Sequence, residues 1–151
     1  MSAITIGWGK PTIEIKRAGE GNEKWRAFAT PVEDSTQLTT TQGDKVEARV
    51  EGGGNEAVRY NANTYELVFG IRQIPGREEL IEDLDGVVQG EYSVRITPEN
   101  ENAIGCFIER AAVNVQVSYS ASEGVVKTYS FSTLKPTREN TPQVRLEVKQ
   151  D

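Results

Sequence analysis

Acidic side chains in close succession are the first candidates for chemistry in this chain of 151 residues. Glu33 with Asp34, and the group Glu82, Asp83 and Asp85, could supply a general acid and a general base, as two carboxylates do in glycosidases. The pair lies in a polar stretch, and the group lies on the wet side of a short predicted helix. Because ionised carboxylates are usually solvated in such positions, we expect surface charges there and not a catalytic pair.

The chain contains no histidine and a single cysteine, Cys106. Serine–histidine and cysteine–histidine nucleophiles, histidine-bearing zinc sites and an intrachain disulfide are therefore excluded. The apolar flanks of Cys106 predict a small buried side chain. The glycine-rich EGGGNE (51–56) opens no helix, and EDLDG (82–86) lacks the further oxygen ligands of a calcium loop. We expect no enzyme activity, no cofactor and no metal.

Charge and composition narrow the class of protein further. With 36% hydrophobic and 26% charged residues, the chain is ordinary globular material, and its length suits one domain over residues 1–151. Seventeen basic and 23 acidic residues give a net charge of −6, which argues against an electrostatic nucleic-acid binder. MSAITIGWGK lacks the pattern of a secretory signal, and no apolar run approaches about 18 residues. We expect a protein that folds in a reducing cytoplasm and does not associate with a membrane.

Alternation of apolar and polar residues predicts most of the secondary structure. The alternating segments are Ile4–Trp8, Ile13–Ile15, Val46–Val50, Tyr65–Ile71, Tyr92–Ile96, Val113–Tyr119, Tyr129–Phe131 and Val144–Val148. One segment, GREELIEDLDG (76–86), has the spacing of a short helix. The predicted fold class is all-β, a mainly antiparallel β-sandwich or flattened barrel with one short flanking α-helix. The last strand, VRLEV, is predicted to be a blunted edge or a strand that pairs with a neighbour.

The stretch VEARVEGGGNEAVRY (46–60) is the unusual feature of this pattern. Val46, Ala48 and Val50 share one face of a strand until three glycines, 52–54, interrupt it. Each glycine in regular structure costs about 0.5–1 kcal/mol relative to alanine. A long, polar, glycine-tipped excursion therefore needs an explanation in a small acidic domain.

Two segments resemble the tail tube proteins of long-tailed bacteriophages and prophages. The first, TPVEDSTQLTTTQGDKVEARVEGGGNEAVRYNANTYELVFGI, is similar to that family's "TP…G/DST-L-TTT-GD/EK-EA…EGG" signature and leads into a tyrosine-containing strand. The second, YSVRITPENENAIGCFIERAAVNVQVSYSASEGVVKTYSFSTLKP, is similar to its closing unit, an "R-I-x-P" strand followed by an "I-E-R-A-x-V" strand and a hairpin that ends in "L-K-P". These patterns contain no catalytic residues.

The resemblance implies a two-sheet β fold with a flanking helix, whose subunits join into rings, usually hexameric. The rings stack into a tube in the virion tail, and their inner sheets form one continuous lumen wall. The implied partners are further copies of the chain, the tape-measure protein, and tail-terminator or baseplate proteins. DNA passes through the tube during ejection without specific binding. The subunit would be synthesised in the bacterial cytoplasm.

In that family a long loop or hairpin reaches an adjacent subunit or ring, and we therefore expect Thr39–Val58 to be an assembly arm. Its ladder, 46–51, would pair with a partner, and the glycines would let the tip turn and approach another backbone. An ordinary mobile hairpin is the alternative. The expected interface residues are Lys45, Val46, Glu47, Ala48, Arg49, Val50, Glu51, Gly52, Gly53, Gly54, Val58 and Tyr60.

An acidic lumen would suit this role, because a lining that binds phosphates would trap the moving DNA. Glu14, Glu47, Glu51 and Glu66 occupy outward-facing strand positions and are candidate lumen carboxylates. Solvated surface carboxylates unrelated to a lumen are the alternative reading of all four.

A binding module is the competing functional class. It would be a β-sandwich adhesion or baseplate domain that recognises carbohydrate or protein. Trp8, Trp25, Tyr60 and Tyr65 could form an aromatic surface on which sugar rings stack, although aromatic residues in alternating strands are more often core or interface.

Overall fold

The computed structural model describes residues 6–21, 24–33 and 35–148. Ten strands occur within these ranges: β1 (Thr12–Arg17), β2 (Arg26–Ala27), β3 (Gln37–Thr41), β4 (Lys45–Arg49), β5 (Asn55–Tyr60), β6 (Thr64–Arg72), β7 (Tyr92–Thr97), β8 (Ile104–Ser120), β9 (Gly124–Thr133) and β10 (Val144–Val148). Eight of them form one antiparallel sheet in the order β2-β1-β7-β8-β9-β6-β3, with β10 also paired to β8. β4 and β5 form a separate two-stranded sheet.

The core lies on one face of the large sheet, which curves so that its two ends meet. Ile15 on β1 and Phe69 on β6 are both fully buried, although their strands lie near opposite ends of the strand order. Phe28, just after β2, closes the gap, since its ring centroid lies 5.1 Å from those of Phe69 and Tyr129. Each buried side chain of this size stabilises the fold by about 1.5–3 kcal/mol. The result is the predicted all-β sandwich.

Strand β8 joins the two halves of this sheet. Ala111 pairs with Tyr92 on β7 and with Thr133 on β9, so these two strands lie on opposite sides of β8. β10 pairs with the first part of β8 on the same side as β9. Ile108 and Ala111 are both buried although they are three positions apart, because a bulge between them re-aims the strand.

The predicted helix over 76–86 is wrong, since the described residues of the chain contain no α-helix. A turn at Pro75–Gly76 is followed by irregular backbone, and a second tight turn has positive φ at Asp85 (52°) and Gly86 (88°). In a helix, Glu78 would face Glu82, and like charges at that spacing are destabilising. A helix of about three turns is marginal without strong support.

The first predicted strand is also wrong in the part that the structure describes. Ile6 and Trp8 are exposed (52% and 73%) and lie outside any strand, and Ile4 lies outside the described residues. The other predicted strands are all present. Within the described ranges, no helix is long and apolar enough to cross a membrane.

Candidate functional site

The hairpin β4–β5, which we call the arm, stands away from the body of the protein. The pairing of β3 with β6 extends as far as Thr41 and Thr64. Beyond these residues the backbone leaves the large sheet, and the segment between them forms the arm. Every residue of both arm strands is exposed. Thr39–Thr41 belong to the large sheet, so the arm begins later than the sequence predicts. β4 pairs along one edge with β5 of the same chain, which leaves only the outer edges of the hairpin for a partner.

The register of the arm distributes its apolar side chains over both faces. Tyr60 lies opposite Lys45 and Val58 opposite Glu47, so both apolar residues share a face with charged ones. Val46 lies on the other face, and Val46, Val58 and Tyr60 are 44%, 45% and 53% exposed. A bulge follows Ala48. Each face of the arm therefore offers apolar contact area framed by charges.

The glycines of the arm have two different roles. Gly52 and Gly53 form the tip with φ of 95° and 92°, and no atom of a residue beyond their chain neighbours lies within 4 Å of where a Cβ would be. The close backbone approach occurs instead at the base, where a Cβ on Gly43 would lie 2.0 Å from the carbonyl oxygen of Asn61. Gly43 N also donates a hydrogen bond to Asn63 Oδ1 at 3.0 Å. The base is therefore tightly packed, and the tip is open.

The four candidate lumen carboxylates lie on different parts of the chain. Glu14 on β1 accepts hydrogen bonds from Arg95 at 3.0 and 3.2 Å. Glu47 is 2.6 Å from Lys45 and 3.7 Å from Arg49.

The other two of the four, Glu51 and Glu66, are exposed, at the arm tip and on β6. The structure therefore does not bring the four together in one chain.

Two further apolar surfaces are uncovered. Ile104 lies on β8, and Leu146 and Val148 lie on β10; their side chains are 64%, 69% and 41% exposed. They are on the same face of the sheet as Ile108, which is buried in the core four positions after Ile104. At the tip of the β8–β9 hairpin, Val117 and Tyr119 are 63% and 76% exposed. Contiguous exposed apolar area at sheet ends is typical of interaction surfaces.

Charged and aromatic side chains alternate across the outer face of the sheet, in what we call the cation–aromatic row. Glu14, Arg95, Phe107 and Arg145 lie directly opposite one another on β1, β7, β8 and β10. Arg145 lies over the Phe107 ring, with Cζ 4.3 Å from the centroid.

Trp25 completes the row. Its ring meets Phe107 edge to face at 6.0 Å, and it lies beneath Arg95 (4.6 Å) and Lys16 (5.0 Å). Sequence reasoning missed the row because no pattern in the chain shows that these four strands are neighbours.

The acidic residues named first form no catalytic arrangement. Glu33 is exposed, and Asp34 lies outside the described residues. Asp83 accepts a hydrogen bond from Gly86 N at 2.9 Å and lies 3.7 Å from Lys127 Nζ. Glu82 and Asp85 are exposed.

No group of three or more side chains suited to metal binding occurs among the residues that the structure describes. Cys106 is partly buried, and this burial raises the pKa of its thiol.

The four candidate sugar-stacking aromatics lie on different segments. Trp8 precedes β1, Trp25 belongs to the cation–aromatic row, Tyr60 ends the arm, and Tyr65 lies on β6. Within the described part of the chain, no two of these four rings are in contact, so the structure shows no shared aromatic surface. No protein-family model matches the sequence, and no curated protein shows significant similarity to it.

Proposed function

We propose that this protein is a self-assembling structural subunit, a tail tube protein of a long-tailed phage or prophage. Copies would join into rings, of six subunits by resemblance, that stack into a conduit for DNA. The proposal is supported by the two resembling segments, by the all-β sandwich and by the exposed apolar surfaces. It requires no catalytic centre, because the function lies in interfaces that repeat.

The arm is the observation that carries the proposal. An isolated two-stranded hairpin is marginally stable in water and usually needs packing against another element. Here every strand residue of the arm is exposed within a single chain, including Val58 and Tyr60. Contact with a second copy would bury both faces of the arm and satisfy its open edges. A permanent interface of this kind buries more than about 1,000 Å².

The distribution of charge supports contact between copies. The arm strands and tip carry three basic residues (Lys45, Arg49, Arg59) and three acidic ones (Glu47, Glu51, Glu56), so the arm is neutral and the net charge of −6 belongs to the rest of the chain. A neutral arm can lie against an acidic neighbour without net repulsion. An acidic body would also weaken contact with the phosphates of passing DNA.

An arm deletion tests the proposal. Asn61 N donates to Asp44 O at 2.8 Å, so the two ends of the arm meet, and residues 45–60 can be replaced by a Gly–Gly linker. We expect the full chain to form rings or tubes at high concentration, seen by light scattering and negative-stain microscopy. The deleted chain should fold with the same near-ultraviolet circular dichroism and form no tubes.

Tubes from the deleted chain would contradict the role of the arm. A full chain that stays monomeric at millimolar concentration and binds a glycan array would favour the carbohydrate-binding alternative. That alternative has less support, because the candidate aromatic residues lie on separate segments.

A further inference from the structure

We propose that the cation–aromatic row is the docking site for an acidic turn of a second copy. We define the acidic turn as residues 82–87, with Glu82, Leu84, Asp85 and Val87 exposed at its surface. This inference deepens the proposed function, since it assigns one of the contacts by which copies join. It rests on the proposal that copies of the chain assemble, but the contact itself does not involve the arm.

Within the row, an arginine without a carboxylate partner lies at the surface of an acidic protein. The row holds three cations, Lys16, Arg95 and Arg145, beside the carboxylates Glu14, Glu109 and Glu147 of the same strands. Arg95 is paired with Glu14, whereas Arg145 has no carboxylate within 4.0 Å among the residues described. Stacking on Phe107 fixes the Arg145 guanidinium and leaves its hydrogen-bond donors for a partner.

The acidic turn has the complementary chemistry. Leu84 is 79% exposed and lies between the exposed carboxylates Glu82 and Asp85. Neither carboxylate has an ion-pair partner within the described ranges of the chain. An apolar side chain flanked by two anions matches a surface where aromatic rings lie between cations.

The turn is also held rigidly, so little conformational entropy would be lost on docking. Leu84 and Val87 exchange backbone hydrogen bonds at 2.9 and 3.0 Å. Gly86 O accepts from Val115 N and from Asn114 Nδ2, both at 3.2 Å. The turn is therefore fixed to β8 before any partner arrives.

A chain cannot place the turn on its own row. The turn lies beside β8 at Asn114, where Val87 forms a bridge, and the row crosses β8 at Phe107. Seven residues of extended strand separate these positions, which corresponds to about 20 Å. The contact must therefore join two copies through different surfaces, and such head-to-tail contacts generate rings or filaments.

Single-stranded nucleic acid is the other ligand that a sheet face with aromatics and cations can bind. Base stacking needs an open ring face. In the row, Lys16 and Arg95 lie over Trp25, and Arg145 lies over Phe107. The net charge of −6 also opposes a polyanion. These observations favour an acidic protein surface as the occupant.

Two neutralised variants of the full chain test the inference. The row variant is Lys16→Gln with Arg145→Gln, and the turn variant is Glu82→Gln with Asp85→Asn. Sedimentation velocity at low salt should show self-association of each variant weakened about tenfold or more. An equimolar mixture should recover a one-to-one heterodimer, because the row variant retains an intact turn and the turn variant an intact row.

A matched control removes two other exposed carboxylates, Glu101→Gln with Glu139→Gln, and should associate like the unchanged protein. Equal weakening in the control, a mixture that recovers nothing, or tight binding of oligo-dT to the row would overturn the inference. Rings seen by microscopy with the turn variant would overturn it while leaving the proposed function intact. Heterodimers without rings from the unchanged chain would support the inference and contradict the proposed function.

A photo-crosslinker placed at Leu84 gives a second readout that does not depend on the stability of the row variant. Peptides joined between isotopically distinct copies should contain Phe107 or Arg145. Crosslinks confined to other strands would overturn the inference.

Discussion

The backbone of Gly43 packs against that of Asn61, and a Cβ on residue 43 would lie 2.0 Å from the Asn61 carbonyl oxygen. This contact fixes where the arm leaves the large sheet. We therefore expect Gly43→Ala to displace the base of the arm and to destabilise the chain by about 1–3 kcal/mol, as forced overpacking does. The melting temperature and the amide exchange rates of residues 45–60 would measure the effect.

Gly54→Ala is the control for that substitution. Gly54 does not have a positive φ, and a Cβ there would meet only Val50 Cγ2, at an ordinary 3.8 Å. It should change stability by less than about 0.5 kcal/mol. An equal loss in both variants would mean that the packing at Gly43 is not the cause.

Polar substitution in the arm should separate assembly from folding. Val58→Ser with Tyr60→Ser removes apolar area that a single chain leaves exposed, so the free energy of unfolding should change by less than about 0.5 kcal/mol per site. Ring or tube formation should be lost. Ile74→Ser, at a similarly exposed residue outside the arm (48%), should leave assembly intact in the same light-scattering assay.

Lys127 holds the 75–87 segment onto β9, with Glu79 and Asp83 as its partners. Its side chain is 15% exposed, and that of Asp83 is 11% exposed. Lys127→Met would leave these carboxylates without their cation, and we expect a loss of about 1–3 kcal/mol in urea unfolding. Arg72→Met, which breaks the half-exposed pair with Glu123, should cost at most about 1 kcal/mol.

Stability should decline at alkaline pH. Burial raises the pKa of Cys106 and of Tyr129, and the hydrogen bond to Glu79 is the main reason that the pKa of Lys127 is raised. Each group holds its proton more tightly in the folded state. The stability that each group contributes is therefore complete below its ordinary pKa, about 8.5 for cysteine and about 10 for tyrosine and lysine. This stability is lost as the pH rises through the pKa of the group in the folded state.

We expect the free energy of unfolding to be steady from about pH 7 to 8.5 and to fall between about pH 9 and 11. Urea unfolding at a series of pH values measures this. Cys106→Ala should remove the part of this decrease in the free energy of unfolding that begins at the lowest pH. Stability that rises above about pH 9 would contradict these assignments.

The sequence predicts where most strands lie, but it does not predict which strands are neighbours in the sheet. Alternation located β6, where Leu67, Phe69 and Ile71 are buried as predicted. In the turn between β8 and β9, Gly124 has a positive φ (74°), a conformation that glycine adopts readily. Local pattern is sufficient for such elements, because which face a side chain occupies depends on its position within one strand.

Other features depend on contacts that no local pattern shows. The 76–86 segment has helical spacing, but Lys127, about 45 positions later, binds its carboxylates and holds it as turns. The arm register places Val58 opposite Glu47, which alternation in the two strands taken separately does not reveal. The cation–aromatic row requires the order β1-β7-β8-β10, and two of its three neighbouring pairs, β1–β7 and β8–β10, are not consecutive strands.

The pairing of β1 with β7 has a consequence for synthesis on the ribosome. Residues 12–17 can find their partner only after residues 92–97 have emerged, and β8 must follow before the core closes. At about 5–20 residues per second, this delay lasts about 4–16 seconds. Throughout it, the nascent chain exposes apolar strands, so its yield in the cell should depend on holding chaperones more than its final stability would indicate.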